Sequence, residues 1–237
     1  KQTRSQFYLA LTLSSALRQM VMKVYGDGMS ACVARVLLCL HEKETEFELV
    51  PVDLFACHHK LPSFLSMNPF GQVPVLQDED LTLFESRAIT AYIAEKHKDK
   101  GTDLTRHADK EAAIVKLWSE VESHHFNPAI SAVIHQLIVV PLQGKTPDAA
   151  IVEENLEKLG KVLDVYEEKL GKTKYLAGDS YTLADLHHVP YTYYFMKTGH
   201  AGLVNDRPNV KAWWEDLCSR PAFLKVSPGL TVAPATN

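Results

Sequence analysis

Two hydrophobic rhythms divide the chain. From Met22 to about Lys100, short apolar runs alternate with helical stripes. "MKVYG" and "FELVPVDL" read as strands, and "ACVARVLLCLHEK" sets Val33, Val36, Leu37 and Leu40 at helical spacing before a charged end. "HHKLPSFLSMNPFG" is irregular with one helical turn. "VPVLQDEDLTLFE" predicts a hairpin around Asp78-Glu79-Asp80, and "SRAITAYIAEKHKDKG" a helix with Ser86 in the capping position and Gly101 beyond its end. The order is β-α-β, then β-β-α.

From Asp109 onward the strand rhythm disappears. "KEAAIVKLWSEVESHHFNPAISAVIHQLI" predicts a long helix bent near Pro128, because a mid-helix proline removes one hydrogen bond and crowds the preceding turn. In "IVEENLEKLGKVLDVYEEKL" one apolar stripe runs through Val152, Leu156, Leu159, Leu163, Tyr166 and Leu170. Thr182 through Asp185 have the form of a capping box, a folding role for Asp185 whose loss should cost about 1 kcal/mol or more. "NVKAWWEDLCSRP" adds an amphipathic helix with Val210, Trp213, Trp214 and Leu217 as its buried side. These patterns divide the chain into an extension (1–20), an α/β domain (21–101), a polar linker (102–108), an all-α domain (109–228) and a tail (229–237).

Composition narrows the partners. At 237 residues and 46% hydrophobic content, two modest cores are affordable in one chain. A net charge of −4 offers no basic footprint for nucleic acid or an anionic membrane, and no apolar run approaches the roughly 20 residues of a membrane span. Small molecules and a second copy of the chain remain as partners. Four scattered cysteines suggest a reducing compartment, and about 10 Å of helical rise keeps Cys32 from Cys39. Residues 1–20 contain no acid; they read as upstream residues joined to a chain starting at Met20 or Met22, as a transit segment, or as a weak signal-like segment.

Candidate chemistry concentrates at "YGDGMSACVAR", where Ser30 and Cys32 stand two residues apart at a loop-to-helix junction. Either could be a reactive group. The adjacent pairs His58-His59, His124-His125 and His187-His188 do not have the i,i+4 spacing of helical metal ligands, so no metal is expected. Arg35 and Arg87 read as structural ion-pair partners.

Three segments then carry a resemblance: Asn68-Pro69-Phe70-Gly71-Gln72-Val73-Pro74, Phe84-Glu85-Ser86-Arg87-Ala88-Ile89, and Leu176-Ala177-Gly178 followed by Thr182 to Asp185. With these in order, the chain from Met22 to about Pro221 resembles soluble glutathione transferases of the plant phi class. The resemblance implies an α/β thioredoxin-like N-terminal domain plus an all-α C-terminal helical domain. The implied activity joins glutathione thiolate to hydrophobic electrophiles in detoxification, with a possible peroxidase activity, and needs no cofactor beyond glutathione as co-substrate.

By the same resemblance, Ser30 is the catalytic residue, donating its hydroxyl to the glutathione thiolate. His59 and Lys60 hold the glycine carboxylate and Gln72 adds an amide. Val73, before a cis-proline, pairs with the cysteinyl backbone, while Ser86 binds the γ-glutamyl carboxylate with Glu85 near its ammonium. An apolar electrophile pocket between the domains is expected from Met29, Phe55, His125, Phe126 and Tyr193. A homodimer and a cytoplasmic location are implied, or a plastid location if residues 1–20 belong to a transit peptide. Two other functions stay open: a non-catalytic carrier of flavonoid-like ligands, and a thiol transferase acting through Cys32.

Overall fold

The computed structural model describes residues 21–231, so the extension and the last residues of the tail lie outside it. The first domain is a four-stranded mixed sheet in the order β2-β1-β3-β4. Strand β1 (Met22–Gly26) runs parallel to β2 (Phe47–Pro51) and antiparallel to β3 (Val75–Asp78), which pairs antiparallel with β4 (Leu81–Phe84). The crossover from β1 to β2 is helix α1 (Ala31–Glu42), and helix α3 (Ser86–Lys96) packs beside α1 after β4. Between β2 and β3 lie a tight turn (His58–Lys60) and the short helix α2 (Pro62–Leu65).

Alternation along β1 buries Met22 and Val24 beneath α1. Helix α1 is covered on nearly all sides: beyond the predicted stripe, Ala34, Leu38 and Cys39 are buried, as is the charged Arg35. Gly26 is required for this closeness, since a Cβ there would lie 2.4 Å from a methyl of Val33. Asp78 is not a turn residue. It ends β3 as a buried carboxylate that accepts hydrogen bonds from Tyr92 and Lys96, leaving Glu79-Asp80 to make the turn.

The second domain begins with a continuous helix, α4 (Asp109–Leu142). Just before Pro128, where the sequence predicts a bend, it contains a wide turn, Glu122–Phe126, and a second follows at His135–Val139. In each, the following amide reaches five residues back, Asn127 to the Glu122 carbonyl and Val140 to that of His135, and the next residue is proline. Pro128 and Pro141 would each strike the carbonyl four residues earlier in a regular helix; widening the turn relieves that clash. By length and composition part of α4 could cross a membrane, contrary to expectation. Here Ala129, Ile130, Val133 and Ile134 are buried, and this stretch packs on helix α5 (Ala149–Leu170).

The α5 stripe is buried as predicted, with Leu156 only half-covered. Short helices α6 (Leu183–Leu186), α7 (Val189–Phe195) and α8 (Gly202–Asn205) lead to α9 (Pro208–Ser219) and α10 (Pro221–Val226). The capping box at Thr182 and Asp185 is formed, and Asp185 does more than cap. Fully buried, it also accepts from the Leu176 amide and the Trp213 indole, both at 3.0 Å.

Charged side chains tie the domains together. Glu122 of α4 accepts a two-pronged pair from Arg87 of α3 at 2.7 and 2.9 Å and lies 3.5 Å from the guanidinium of Arg35. At the other end of α1, Glu42 takes two hydrogen bonds from Arg220, whose guanidinium lies 3.7 Å from the Tyr181 ring centre. Arg35 and Arg87 thus make the ion pairs the sequence suggested.

Candidate functional site

The loop from β1 into α1 is pinned from both sides. Asp27 accepts from the Met29 amide at 2.9 Å, its carbonyl takes the Ser30 amide at 3.0 Å, and the Tyr194 hydroxyl donates to the Met29 carbonyl. Burial pushes the Tyr194 phenol up, so that hydroxyl stays protonated and remains a donor. Ser30 is the N-cap of α1 in extended geometry, and its hydroxyl oxygen accepts from the Val33 amide at 3.4 Å. That bond uses a lone pair of the oxygen. The hydroxyl proton has no acceptor among the described residues and is left for something in the adjoining cavity.

This cavity, about 610 Å³, opens between the domains. Met29, Ser30, Phe55, Cys57 and His59 line its first-domain side; Ile134, Ile138, Val139 and Leu142 of α4 and Tyr191 and Tyr194 of α7 form the opposite wall. It combines an apolar wall with a few polar groups, as small-molecule sites do. Met29 and Phe55 stand where the sequence put them. His125, Phe126 and Tyr193 do not. Phe126 is buried against Tyr166 and His188, with ring centres 5.9 and 4.5 Å away, and Tyr193 packs on Phe223 under the Lys197 ammonium. His125 is exposed in the first wide turn. Ile134, Ile138 and Leu142 recur at steps of four, a signal visible in the sequence but shared with any core stripe.

A second group of predicted residues gathers at the end of the sheet. The Val73–Pro74 bond is cis, and neither the amide nor the carbonyl of Val73 has a hydrogen-bond partner among the described residues. The pairing of Val75 with Phe84 carries Val73 alongside the Glu85-Ser86 corner. Glu85 is exposed with φ of 70°, and no side chain caps the start of α3. Ser86 therefore is not the cap. It is the first helical residue, and its buried hydroxyl oxygen accepts from Arg35 at 2.8 Å, leaving its proton and the first-turn amides to face an anion.

Lys60 is latched to the Asn68–Gly71 turn, donating to the Gly71 carbonyl at 2.8 Å and the Phe70 carbonyl at 3.2 Å. Its neighbour His59 has a ring nitrogen with no partner, and partial burial with the Lys60 charge lowers its pKa, so near neutral pH it is uncharged. Gln72 is exposed, its carbonyl held by Asn68 at 2.7 Å. Cys32, half-buried in the first turn of α1, does not line the cavity. The Arg35 guanidinium lies 3.7 Å from its sulfur. Sequence reasoning missed Arg35 as the link between Cys32, Ser86 and Glu122, because those partners lie up to 87 residues away.

Of the three histidine pairs, the buried one is committed to packing: His187 meets the Thr90 hydroxyl and His188 that of Tyr166, each at 2.9 Å. No group of three potential metal ligands occurs among the described residues.

Comparison with known proteins gives one answer throughout. Residues 20–95 match the family model for the glutathione S-transferase N-terminal domain, and residues 130–221 that for the C-terminal domain. Glutathione S-transferase F13 of Arabidopsis thaliana is 90% identical over 219 residues, spanning 92% of this chain and all of that protein. A glutathione S-transferase of Hyoscyamus muticus is 51% identical, covering 87% of this chain and 97% of its own. Among solved structures, glutathione transferase F7 from Populus trichocarpa superposes with a TM-score of 0.88 at 65% identity, over 89% of this chain and 100% of that one. Glutathione S-transferase I from mais, in complex with an atrazine glutathione conjugate, gives 0.83 at 45% identity, over 89% and 98%.

Proposed function

Because the chain belongs to the soluble glutathione S-transferase family, in its plant phi class, we propose that the Ser30 hydroxyl holds the glutathione sulfur as thiolate beside the apolar cavity. The enzyme conjugates glutathione to hydrophobic electrophiles. The observation that carries the role of Ser30 is its divided hydroxyl: the oxygen accepts from Val33, and the proton is free toward the cavity.

A free thiol titrates well above neutrality, so little of it is thiolate at pH 7. Lowering that pKa by about two units requires roughly 2.7 kcal/mol of anion stabilisation. One hydrogen bond to an anion supplies about 1.5 to 3 kcal/mol and a helix start about 0.3 to 1, so Ser30 at the head of α1 is sufficient. No protein nucleophile is needed. The thiolate attacks the electrophilic carbon, and the leaving group or a new carbanion takes the electron pair. The same thiolate can attack the outer oxygen of an organic hydroperoxide, breaking the O–O bond to release the alcohol after proton uptake and leaving glutathione sulfenic acid, which a second glutathione converts to the disulfide with loss of water; we include this as a second activity.

Around the sulfur, the open backbone of Val73 receives the cysteinyl backbone as an added strand would. Ser86 and the uncapped start of α3 receive the γ-glutamyl carboxylate, with Glu85 near the ammonium. His59, Lys60 and Gln72 lie toward the glycine end, Lys60 acting from its latched position. The glutathione-binding enzyme works as a homodimer in this reading, and the cytoplasm is its compartment. Sedimentation at micromolar concentration tests the former and a fluorescent fusion the latter.

The decisive experiment is conjugation of chlorodinitrobenzene by wild type, Ser30→Ala and Cys32→Ser. Ser30→Ala should lose about 100-fold in kcat/KM near pH 6.5, with the apparent thiol pKa raised by about 2 units, whereas Cys32→Ser keeps the wild-type profile. Full turnover in Ser30→Ala together with abolition in Cys32→Ser would overturn the assignment and favour thiol transfer through Cys32.

A further inference from the structure

A second cavity of about 380 Å³ adjoins the first across α4. The two share Ile134, Val139 and Tyr191 as walls, so Tyr191 stands at a junction rather than at an end. Beyond it the lining changes character. Val139 and Ile151 leave large apolar side chains 36% and 38% exposed, and Ser131, His135 and Gln136 add polar groups.

These polar groups are biased toward donation. The Gln136 side-chain oxygen accepts from the Asp148 amide at 2.9 Å, which fixes the orientation of the amide and leaves its NH2 without a partner among the described residues. His135 adds an exposed imidazole, whereas the Ser131 hydroxyl donates to the Pro128 carbonyl at 3.4 Å. From Ser131 to Leu142 the shared helix rises about 16 Å at its usual pitch, longer than a single aromatic ring requires.

We propose that the two cavities form one trough that selects elongated electrophiles. Their reactive carbon lies beside Ser30, their apolar middle passes Tyr191, and a distal carboxylate or other hydrogen-bond acceptor meets Gln136 and His135. The inference rests on reading the first cavity as the electrophile site and adds the substrate class that this site favours. A fitting chemistry is an α,β-unsaturated ketone with an ω-carboxyalkyl tail. The glutathione sulfur forms a bond to the β-carbon, the π pair moves onto the carbonyl oxygen as an enolate, and water returns a proton to the α-carbon; no oxidant or leaving group is involved.

The test uses a homologous series of such enones with methyl, butyl-acid and decyl-acid tails, against wild type, Ala132→Trp and Gln136→Leu. Ala132 lines only the second cavity, so tryptophan there fills it. In wild type, kcat/KM should rise along the series, and the ratio of long-tailed to methyl enone should fall about tenfold in Ala132→Trp and severalfold in Gln136→Leu. Calorimetry with the saturated, unreactive decyl acid, in the presence of glutathione, should show the same loss of affinity, a readout independent of turnover. A flat wild-type series, or an unchanged ratio in both variants, overturns the trough. Loss of conjugation of the methyl enone itself would instead overturn the site reading beneath it, so the two failures are distinguishable.

Discussion

Glu122 is the buried anion on which two cations depend, and Glu122→Gln isolates that dependence with little change of shape. Its side chain is 1% exposed, Arg35 is wholly buried and Arg87 about one-quarter exposed. One nitrogen of Arg35 has no hydrogen-bond partner, so at 3.5 Å its compensation by Glu122 is purely of charge. Glutamine removes that charge and turns one acceptor of the Arg87 pair into a donor. Breaking a buried pair from one side typically costs about 3 to 5 kcal/mol, and the wholly buried Arg35 cannot recover solvation by moving. With a urea dependence of about 2 to 3 kcal/mol per molar for a chain of this size, the unfolding midpoint should fall by about 1 to 2.5 M. Tryptophan fluorescence reads this directly, because Trp213 and Trp214 are buried in the second domain. Arg87→Met, which removes only the partly exposed partner, should cost less. A Glu122→Gln penalty below about 1 kcal/mol, or one smaller than that of Arg87→Met, would refute the argument.

Two further outcomes follow from buried polar groups. Asp185→Ala should destabilise by about 4 kcal/mol rather than the 1 of a simple cap, since it orphans the Leu176 and Thr182 amides and the Trp213 indole together; urea unfolding tests it, and folded enzyme should keep its turnover. His188 is held at a pKa of about 4 by burial against an ordinary 6.5, so its neutral form stabilises the fold fully above pH 6.5 and that contribution is lost as pH falls toward 4, about 2 kcal/mol of it by about pH 5. Asp185, raised to about 6 by burial, acts with the opposite sign, so the measurement is the difference between wild type and His188→Gln at about pH 7.5 and pH 5; a pH-independent difference would refute it.

The fold was readable because burial follows periodicity: the stripe of α5 and the Thr182–Asp185 box appear in the structure as the sequence spelled them. Ser30 and His59 were readable through motif order and do line one cavity. The far wall of the cavity was not. Which face of α4 meets the opening depends on how α4, α5 and α7 pack together and on two wide turns that shift the helical phase, so Phe126 points into the core where Ile138 meets the cavity. Ser86 was misplaced by one position for a related reason: its partner Arg35 lies 51 residues away, and nothing local reveals it.

The wide turns of α4 also bear on how such an enzyme can change over evolutionary time. Each is equivalent to a single residue inserted into a regular helix, matched to the proline that follows. Deleting one residue within 135–139 would turn Val140 to Leu142 by about 100° relative to Ile134, carrying Leu142 out of the cavity wall in one step. Substitutions reshape a binding wall one side chain at a time. Here an insertion or deletion can re-aim several at once, provided Pro141 changes with it, because proline and wide turn are tolerable together and costly apart.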